Sequence, residues 1–131
     1  MMLNNKWALV TGASSGLGSH FARQLGRKGN NLFLTARREE RLNELKDRIL
    51  KECDIRIEIC VGDLALDATR QKLYETTEGA GLSIDVLINN AGFGTLAPFA
   101  KIPWETTAQQ LDLNIKALTH LTHLFVPGML K

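Results

Sequence analysis

The chain has 131 residues, which is enough for one compact domain with its own core. Its 44% hydrophobic and 23% charged residues are typical of a globular protein, and a formal net charge of +2 comes from interspersed charges of both signs. This balance argues against a nucleic-acid-binding surface, and no apolar run reaches the length of a membrane span or a signal peptide. We therefore expect a cytoplasmic protein that binds neither nucleic acid nor a membrane.

Cysteine and histidine spacing does not predict a metal site. Cys53 and Cys60 fit no familiar zinc or redox pattern, so two free thiols in a reducing compartment are the simpler interpretation. His120 and His123 lie three residues apart in a predicted helix, but no third ligand is nearby in the sequence. We expect no bound metal.

Apolar runs and helical periodicity alternate along the whole chain. They predict strands at residues 6–11, 31–36, 55–61 and 84–88, and helices at 17–28, 39–52, 67–78 and 103–127. Leu17, Phe21 and Leu25 are spaced as one buried stripe of the first helix, and Asp67 is the expected N-cap of the third. This alternation indicates an α/β fold, a doubly wound parallel sheet with helices on both faces. No linker or repeat interrupts it, so residues 1–131 form one domain.

The turn between the first strand and the first helix is rich in glycine and serine. Gly12 suits a sharp turn, Gly16 would let a pyrophosphate approach the main chain, and Gly18 would let the helix lie close to the strand. Ser14 and Ser15 add hydroxyl donors beside the N–H groups of the first helical turn, where anions bind well. An ordinary strand-to-helix turn is the alternative, because a glycine triplet alone is a weak signal.

Two arginines follow the second strand directly. In dinucleotide-binding folds an acidic residue at this place binds the ribose 2′-hydroxyl, whereas an arginine accommodates a 2′-phosphate. Arg37 and Arg38 stand at the end of this strand, and no Asp or Glu lies at its tip. A guanidinium binds phosphate in a bidentate manner, so we favour NADP(H) over NAD(H). Alternatively, both arginines belong to the solvated surface of the following charged helix.

Two more strand ends carry polar residues. Asp63 follows the third strand, where by itself it fits a turn. The fourth strand runs into Asn89-Asn90-Ala91-Gly92. Asparagine side chains at such a place bind backbone groups of neighbouring strands, while Ala91 and Gly92 leave room for a ribose. A polar strand end and turn is the alternative interpretation.

Together these segments resemble the short-chain dehydrogenase/reductase family of classical type. The resemblance rests on the turn from Thr11 to Gly18, on Asn89–Gly92 and on Asn114 in the last predicted helix. It implies a Rossmann-type sheet of strand order 3-2-1-4 and a nicotinamide cofactor. It also implies that Asp63 accepts a hydrogen bond from the adenine amino group, that Leu64 lines the adenine pocket, and that Asn114 is catalytic. The predicted cofactor-binding residues are then Gly12, Ser14, Ser15, Gly16, Leu17, Gly18, Arg37, Arg38, Asp63, Leu64, Asn90, Ala91 and Gly92.

The family's remaining catalytic residues have no counterpart in the sequence. Members carry a serine and a Tyr-x-x-x-Lys pair, in which the lysine lowers the pKa of the tyrosine that exchanges a proton with substrate. Tyr74 is the single tyrosine here, and Glu78 stands four residues after it. We therefore expect the sheet to be incomplete and the chain to be a truncated, inactive N-terminal portion. Its exposed fourth strand predicts self-association as a homo-oligomer.

Three hypotheses follow from the sequence. The first is an NADP(H)-dependent oxidoreductase that reduces small-molecule carbonyls or oxidises alcohols, represented by its cofactor-binding half. The second is a dinucleotide-binding module without turnover, and the third is an inactive fragment that has lost affinity for the cofactor.

Overall fold

The computed structural model describes residues 4–14 and 16–131, which form a parallel sheet flanked by helices. The strands are β1 (Trp7–Thr11), β2 (Asn31–Ala36), β3 (Ile57–Val61) and β4 (Ile84–Ile88). The helices are α1 (Gly16–Arg27), α2 (Glu39–Glu52), α3 (Asp67–Thr76), α4 (Trp104–Leu111) and α5 (Leu118–Met129). A π-helical segment, Asp112–Ala117, joins α4 to α5, and short 3-10 turns lie at Glu78–Ala80 and Phe99–Lys101.

The strand order is β3-β2-β1-β4, and every pairing is parallel. Thr11 of β1 pairs with Thr35 of β2, Thr35 pairs with Cys60 of β3, and Val10 pairs with Ile88 of β4. The carboxyl ends of the strands are therefore level, and the four segments that follow them meet at one edge of the sheet. The predicted Rossmann-type topology, with its order 3-2-1-4, is confirmed.

Side chains that alternate along the strands build a core on each face of the sheet. Ala8, Val10 and their neighbours in β2 pack against α1 and α2 through Ala22, Leu42 and other apolar residues. Trp7 and Leu9 point to the opposite face, where residues of α3 and α5 such as Phe125 cover them. Helices on both faces of the sheet explain why its central strands are continuous apolar runs.

The predicted buried stripe of α1 is wrong for Leu17 and Phe21, whereas its third member, Leu25, is partly buried against the core. The Leu17 and Phe21 side chains are 68% and 42% exposed, and the residues that face the sheet are Gly18, Ala22 and Gly26. A Cβ on Gly26 would lie 3.1 Å from the Ile49 side chain, so only small residues fit between α1 and its neighbours. This close approach turns the helix so that Leu17 and Phe21 point outwards.

Other boundaries differ by one or two residues, as is usual at element ends. The third helix begins at Asp67 itself, with Leu66 as its N-cap residue, so the predicted capping role of Asp67 is wrong. Its carboxylate instead accepts a hydrogen bond of 3.3 Å from Arg70 Nη2. No helix among the described residues has the length and apolarity needed to span a bilayer.

Candidate functional site

A cavity of about 390 Å³ opens at the carboxyl edge of the sheet. Most of the predicted cofactor-binding residues line it, together with four residues that the sequence did not single out. The lining comprises Gly12, Ser14, Leu17, Ala36, Arg37, Arg38, Arg41, Gly62, Asp63, Leu64, Asn90, Ala91, Gly92 and Leu113. Gly16 and Gly18 lie in the adjoining turn rather than in the lining, and Ser15 lies outside the described residues. The structure thus brings together side chains from the ends of all four strands.

The glycines of the β1–α1 turn differ in what surrounds them. Gly12 adopts φ +60°, and a Cβ there would lie 2.9 Å from the Ala91 Cα. A Cβ on Gly18 would overlap the Gly12 carbonyl oxygen, so a larger residue cannot fit without moving the turn. Gly16 adopts φ +55°, and apart from its chain neighbours and the backbone of α1 no described residue lies within 4 Å of its Cβ position. The turn is therefore closely packed at Gly12 and Gly18 and open at Gly16, so a phosphate group could reach the main-chain amides there.

Thr11 joins the glycine-rich turn to the end of β4. Its side chain is buried, and its hydroxyl oxygen accepts hydrogen bonds from the backbone N–H groups of Asn90 and Ala91 at 3.0 and 2.9 Å. The same hydroxyl donates to the Ile88 carbonyl at 3.3 Å, and Asn90 Nδ2 donates to the Gly12 carbonyl at 3.1 Å. No separate role for Thr11 was predicted, although a hydroxyl at the end of an otherwise apolar strand was the available signal.

Three arginines stand at the opposite side of the cavity. Arg37 and Arg38 follow β2 as predicted, and Arg41 joins them from the first turn of α2. All three are exposed, and none takes part in an ion pair within residues 4–14 and 16–131. Arg41 was not singled out from the sequence. Its position one helical turn after Arg38 directs it to the cavity.

Asn114 lies in the π-helical segment between α4 and α5, which interrupts the single helix predicted over residues 103–127. Its Oδ1 accepts a hydrogen bond of 3.0 Å from the Phe93 N–H, and its Nδ2 donates to the Phe93 carbonyl at 2.7 Å. Both ends of the amide are therefore used to hold the loop that follows Gly92. The neighbouring residue Leu113, rather than Asn114, lines the cavity, so a catalytic role for the Asn114 side chain stays a prediction.

Among the residues that the structure describes, two titratable groups have shifted pKa values, and neither lines the cavity. Burial raises the pKa of the Cys60 thiol, which keeps this cysteine protonated. Arg27, which donates hydrogen bonds to Glu52, lowers the pKa of that exposed carboxyl. Tyr74 packs its ring against Phe125 at 5.9 Å between centroids, away from the cavity. Within the described part of the chain no three potential ligands cluster as a metal site would need.

Comparison with known proteins agrees with this geometry. Residues 6–131 match the family model described as short chain dehydrogenase. The very-long-chain 3-oxoacyl-CoA reductase of Anas platyrhynchos is 30% identical over 131 residues, which cover 95% of this chain and 41% of that protein. The enzyme of the same name from Emericella nidulans is 37% identical over 128 residues, covering 94% of this chain and 36% of that protein. The chain thus spans about two-fifths of the length of these relatives.

Solved structures with the same fold include proteins bound to a nicotinamide cofactor. The L-sorbose reductase of Gluconobacter frateurii, complexed with NADPH and L-sorbose, superposes with a TM-score of 0.92 at 28% identity, covering 98% of this chain and 49% of that one. A metagenomic short-chain oxidoreductase in complex with NADP gives a TM-score of 0.92 at 32% identity, covering 98% of this chain and 58% of that one. The matched residues, the strand order and the glycine-rich turn show that this chain belongs to the short-chain dehydrogenase family.

Proposed function

We propose that the chain is the NADP(H)-binding part of an oxidoreductase that interconverts a carbonyl compound and an alcohol by hydride transfer. One observation carries this proposal. A single cavity joins an open glycine-rich turn at a helix N-terminus, arginines after β2, and the Asn-Ala-Gly segment after β4. These are the chemical groups that a phosphorylated dinucleotide requires, and they come from three separate parts of the chain.

The groups that line the cavity would bind the cofactor in one orientation. The main-chain amides beside Gly16 and the Ser14 hydroxyl would hold the pyrophosphate, since no described residue occupies the space above that glycine. Arg37, Arg38 and Arg41 would bind the adenosine 2′-phosphate, because exposed guanidinium groups with no ion-pair partner in the described chain attract a dianion. Asp63 and Leu64 would then face the adenine. The NADPH and NADP bound to the structural neighbours support the phosphorylated cofactor.

The bound cofactor supplies the hydride in this reaction, and the residues of this chain bind and orient it. Ala91 and Gly92 leave space beside the turn for the nicotinamide ribose, and Asn114 holds the following loop through Phe93. The relatives' names, which include reductases of 3-oxoacyl-CoA and of L-sorbose, support a carbonyl compound as the substrate. Tyr74 does not fit the role of proton donor in this proposal, because it lies outside the cavity and has Glu78 rather than a lysine four residues later.

We propose in consequence that these 131 residues bind the cofactor without turning over substrate. The non-catalytic dinucleotide-binding module is therefore the second candidate function, and the position of Tyr74 is the observation that favours it. Turnover of NADPH by the 131-residue chain on a panel of ketones and aldehydes would contradict this part of the proposal.

Fluorescence titration with NADPH and NADH tests the cofactor assignment. We expect Arg37→Ala to weaken NADPH binding by roughly 10-fold or more, as the loss of a charge-assisted contact does, and to leave NADH binding nearly unchanged. Arg48→Ala is the matched control, because Arg48 is an exposed arginine of α2 that does not line the cavity. Equal losses for both cofactors would contradict the 2′-phosphate role, and no binding of either cofactor by the unmodified protein would leave the inactive fragment as the remaining hypothesis.

A further inference from the structure

A buried arginine connects the wall of the cavity to helix α5. The Arg70 side chain is 1% exposed, and each of its three nitrogen atoms donates a hydrogen bond. Nη1 donates to the Leu64 carbonyl at 2.7 Å, Nε donates to His120 Nδ1 at 2.8 Å, and Nη2 donates to Asp67 Oδ1 at 3.3 Å. A guanidinium that bridges a loop and two helices restrains all three.

Such a buried cation is costly unless its partners compensate for the lost water. Asp67 supplies the only carboxylate among the described partners of Arg70, and its side chain is 81% exposed, so solvent screens much of their attraction. The two shorter hydrogen bonds, to Leu64 and His120, are made with neutral acceptors. The arginine is therefore held chiefly by directional hydrogen bonds, and losing one of them would free the guanidinium to move.

The bond to the Leu64 carbonyl acts on the part of the cavity that would face the adenine. Leu64 is 4% exposed and lines the cavity beside Asp63, whose Oδ1 accepts a hydrogen bond of 3.0 Å from the Ala65 N–H. The direction of the Asp63 carboxylate thus depends on the path of the backbone through Leu64 and Ala65. Arg70 fixes this path from behind, without itself lining the cavity.

His120 connects Arg70 to helix α5. It lies in α5, which packs against β4 and continues the π-helical segment that contains Asn114. Since arginine has no hydrogen-bond acceptor, His120 Nδ1 is the acceptor of this bond. The hydrogen bond therefore ties the position of Arg70 to α5, which continues from the segment whose Asn114 holds Phe93 and the loop after Gly92.

We propose that Arg70, held by His120, is a positioning residue that sets the Asp63–Leu64 wall for recognition of the adenine base. This inference rests on the proposed NADP(H)-binding function and adds to it a residue pair outside the cavity. The competing explanation is that Arg70 only stabilises α3. The two explanations differ in one measurable respect: a general loss of stability weakens all dinucleotides alike, whereas a displaced wall changes the preference for one base over another.

The test compares NADPH with its reduced hypoxanthine analogue, which lacks the adenine amino group but keeps the phosphates and the nicotinamide. We expect the unmodified protein to prefer NADPH by roughly 10-fold, because the analogue cannot donate a hydrogen bond to the Asp63 carboxylate. In His120→Leu, which removes the acceptor for Arg70 Nε, we expect the preference to fall below about 3-fold. In His120→Asn, whose amide oxygen replaces Nδ1, we expect it to return.

His123→Leu is the matched control, because His123 is an exposed histidine one turn further along α5 that is not a partner of Arg70. It should keep the full preference for NADPH. If His120→Leu does not fold, His120→Gln replaces it, since the glutamine amide reaches the position of Nε2 rather than that of Nδ1. An unchanged base preference in the His120 variant, or no preference in the unmodified protein, would overturn the inference. If the unmodified protein does not bind NADPH at all, the proposed function itself fails.

Discussion

Replacing Thr11 by valine removes a hydroxyl and leaves the shape of the side chain nearly unchanged. The Ala91 N–H then loses the only acceptor that the described residues offer it, while the Asn90 N–H keeps its second bond of 3.0 Å to the Ile88 carbonyl. An unpaired, partly buried amide costs about 1–2 kcal/mol, and the loss of the shared bond adds about 0.5–1 kcal/mol. We therefore expect Thr11→Val to lower the free energy of unfolding by about 2 kcal/mol.

Urea denaturation measures this difference. For a small domain whose stability falls by about 2 kcal/mol per molar urea, the midpoint should drop by about 1 M. Thr11→Ser is the matched control, because it keeps the hydroxyl and loses one buried methyl group, at a cost of about 0.8 kcal/mol. NADPH affinity should fall in the valine variant as well, since the segment after β4 is no longer held against the turn. A valine variant at least as stable as the serine variant would refute this reasoning.

Three further predictions concern other parts of the molecule. Gly18→Ala should weaken NADPH binding by roughly 10-fold or more in a fluorescence titration, because its Cβ would overlap the Gly12 carbonyl and overpacking of this kind costs about 1–3 kcal/mol. Gly94→Ala, with no described atom near its Cβ, should bind NADPH normally. Equal affinities of the two variants would contradict the close packing of α1. Cys60 should react with a disulfide reagent at pH 8 more slowly than the half-buried Cys53, because burial raises the pKa of its thiol and leaves less thiolate. The variants Cys53→Ser and Cys60→Ser each leave one of the two cysteines, so their rates can be compared directly. A faster reaction of Cys60 would contradict this prediction. The 131-residue chain should self-associate through strand β4, which has no neighbour on its outer side among the described residues, so a sedimentation coefficient that stays monomeric at high concentration would argue against it.

The sheet and the outline of the cavity could be predicted from the sequence because they depend on local signals. Short apolar runs that end in glycine or polar residues marked the strands, and the segments after those strands contained the residues that line the cavity. Similar strand lengths and parallel pairing then place these segments together, whatever their separation along the chain. The arginines after β2 and the Asn-Ala-Gly segment after β4 are examples.

What the sequence did not predict depends on packing between elements. Periodicity counts large apolar residues, so it placed Leu17 and Phe21 inside, whereas the contact between α1 and the sheet is too close for them and selects glycine and alanine. The role of Thr11 depends on partners about 80 residues away, as its bond to Ala91 shows, and no local pattern reveals such partners. Arg41 could not be distinguished from the other charged residues of α2, because the orientation of each side chain on the helix, and not composition, decides which of them reach the cavity.

The wide separation along the chain of β1 and β4 has a consequence for how the cavity forms during folding. These adjacent strands are joined by hydrogen bonds between residues 77–80 positions apart, as for Thr11 with Ile88 and Ala91. Closing a loop of this length is slow compared with forming the neighbouring β1–α1–β2 unit, since contacts between distant residues must first overcome chain entropy. The dinucleotide cavity therefore completes late, only when β4 docks beside β1. During synthesis, a ribosome-bound chain that has not yet exposed residue 92 lacks one wall of the cavity, so the onset of nucleotide binding would report the docking of this last strand.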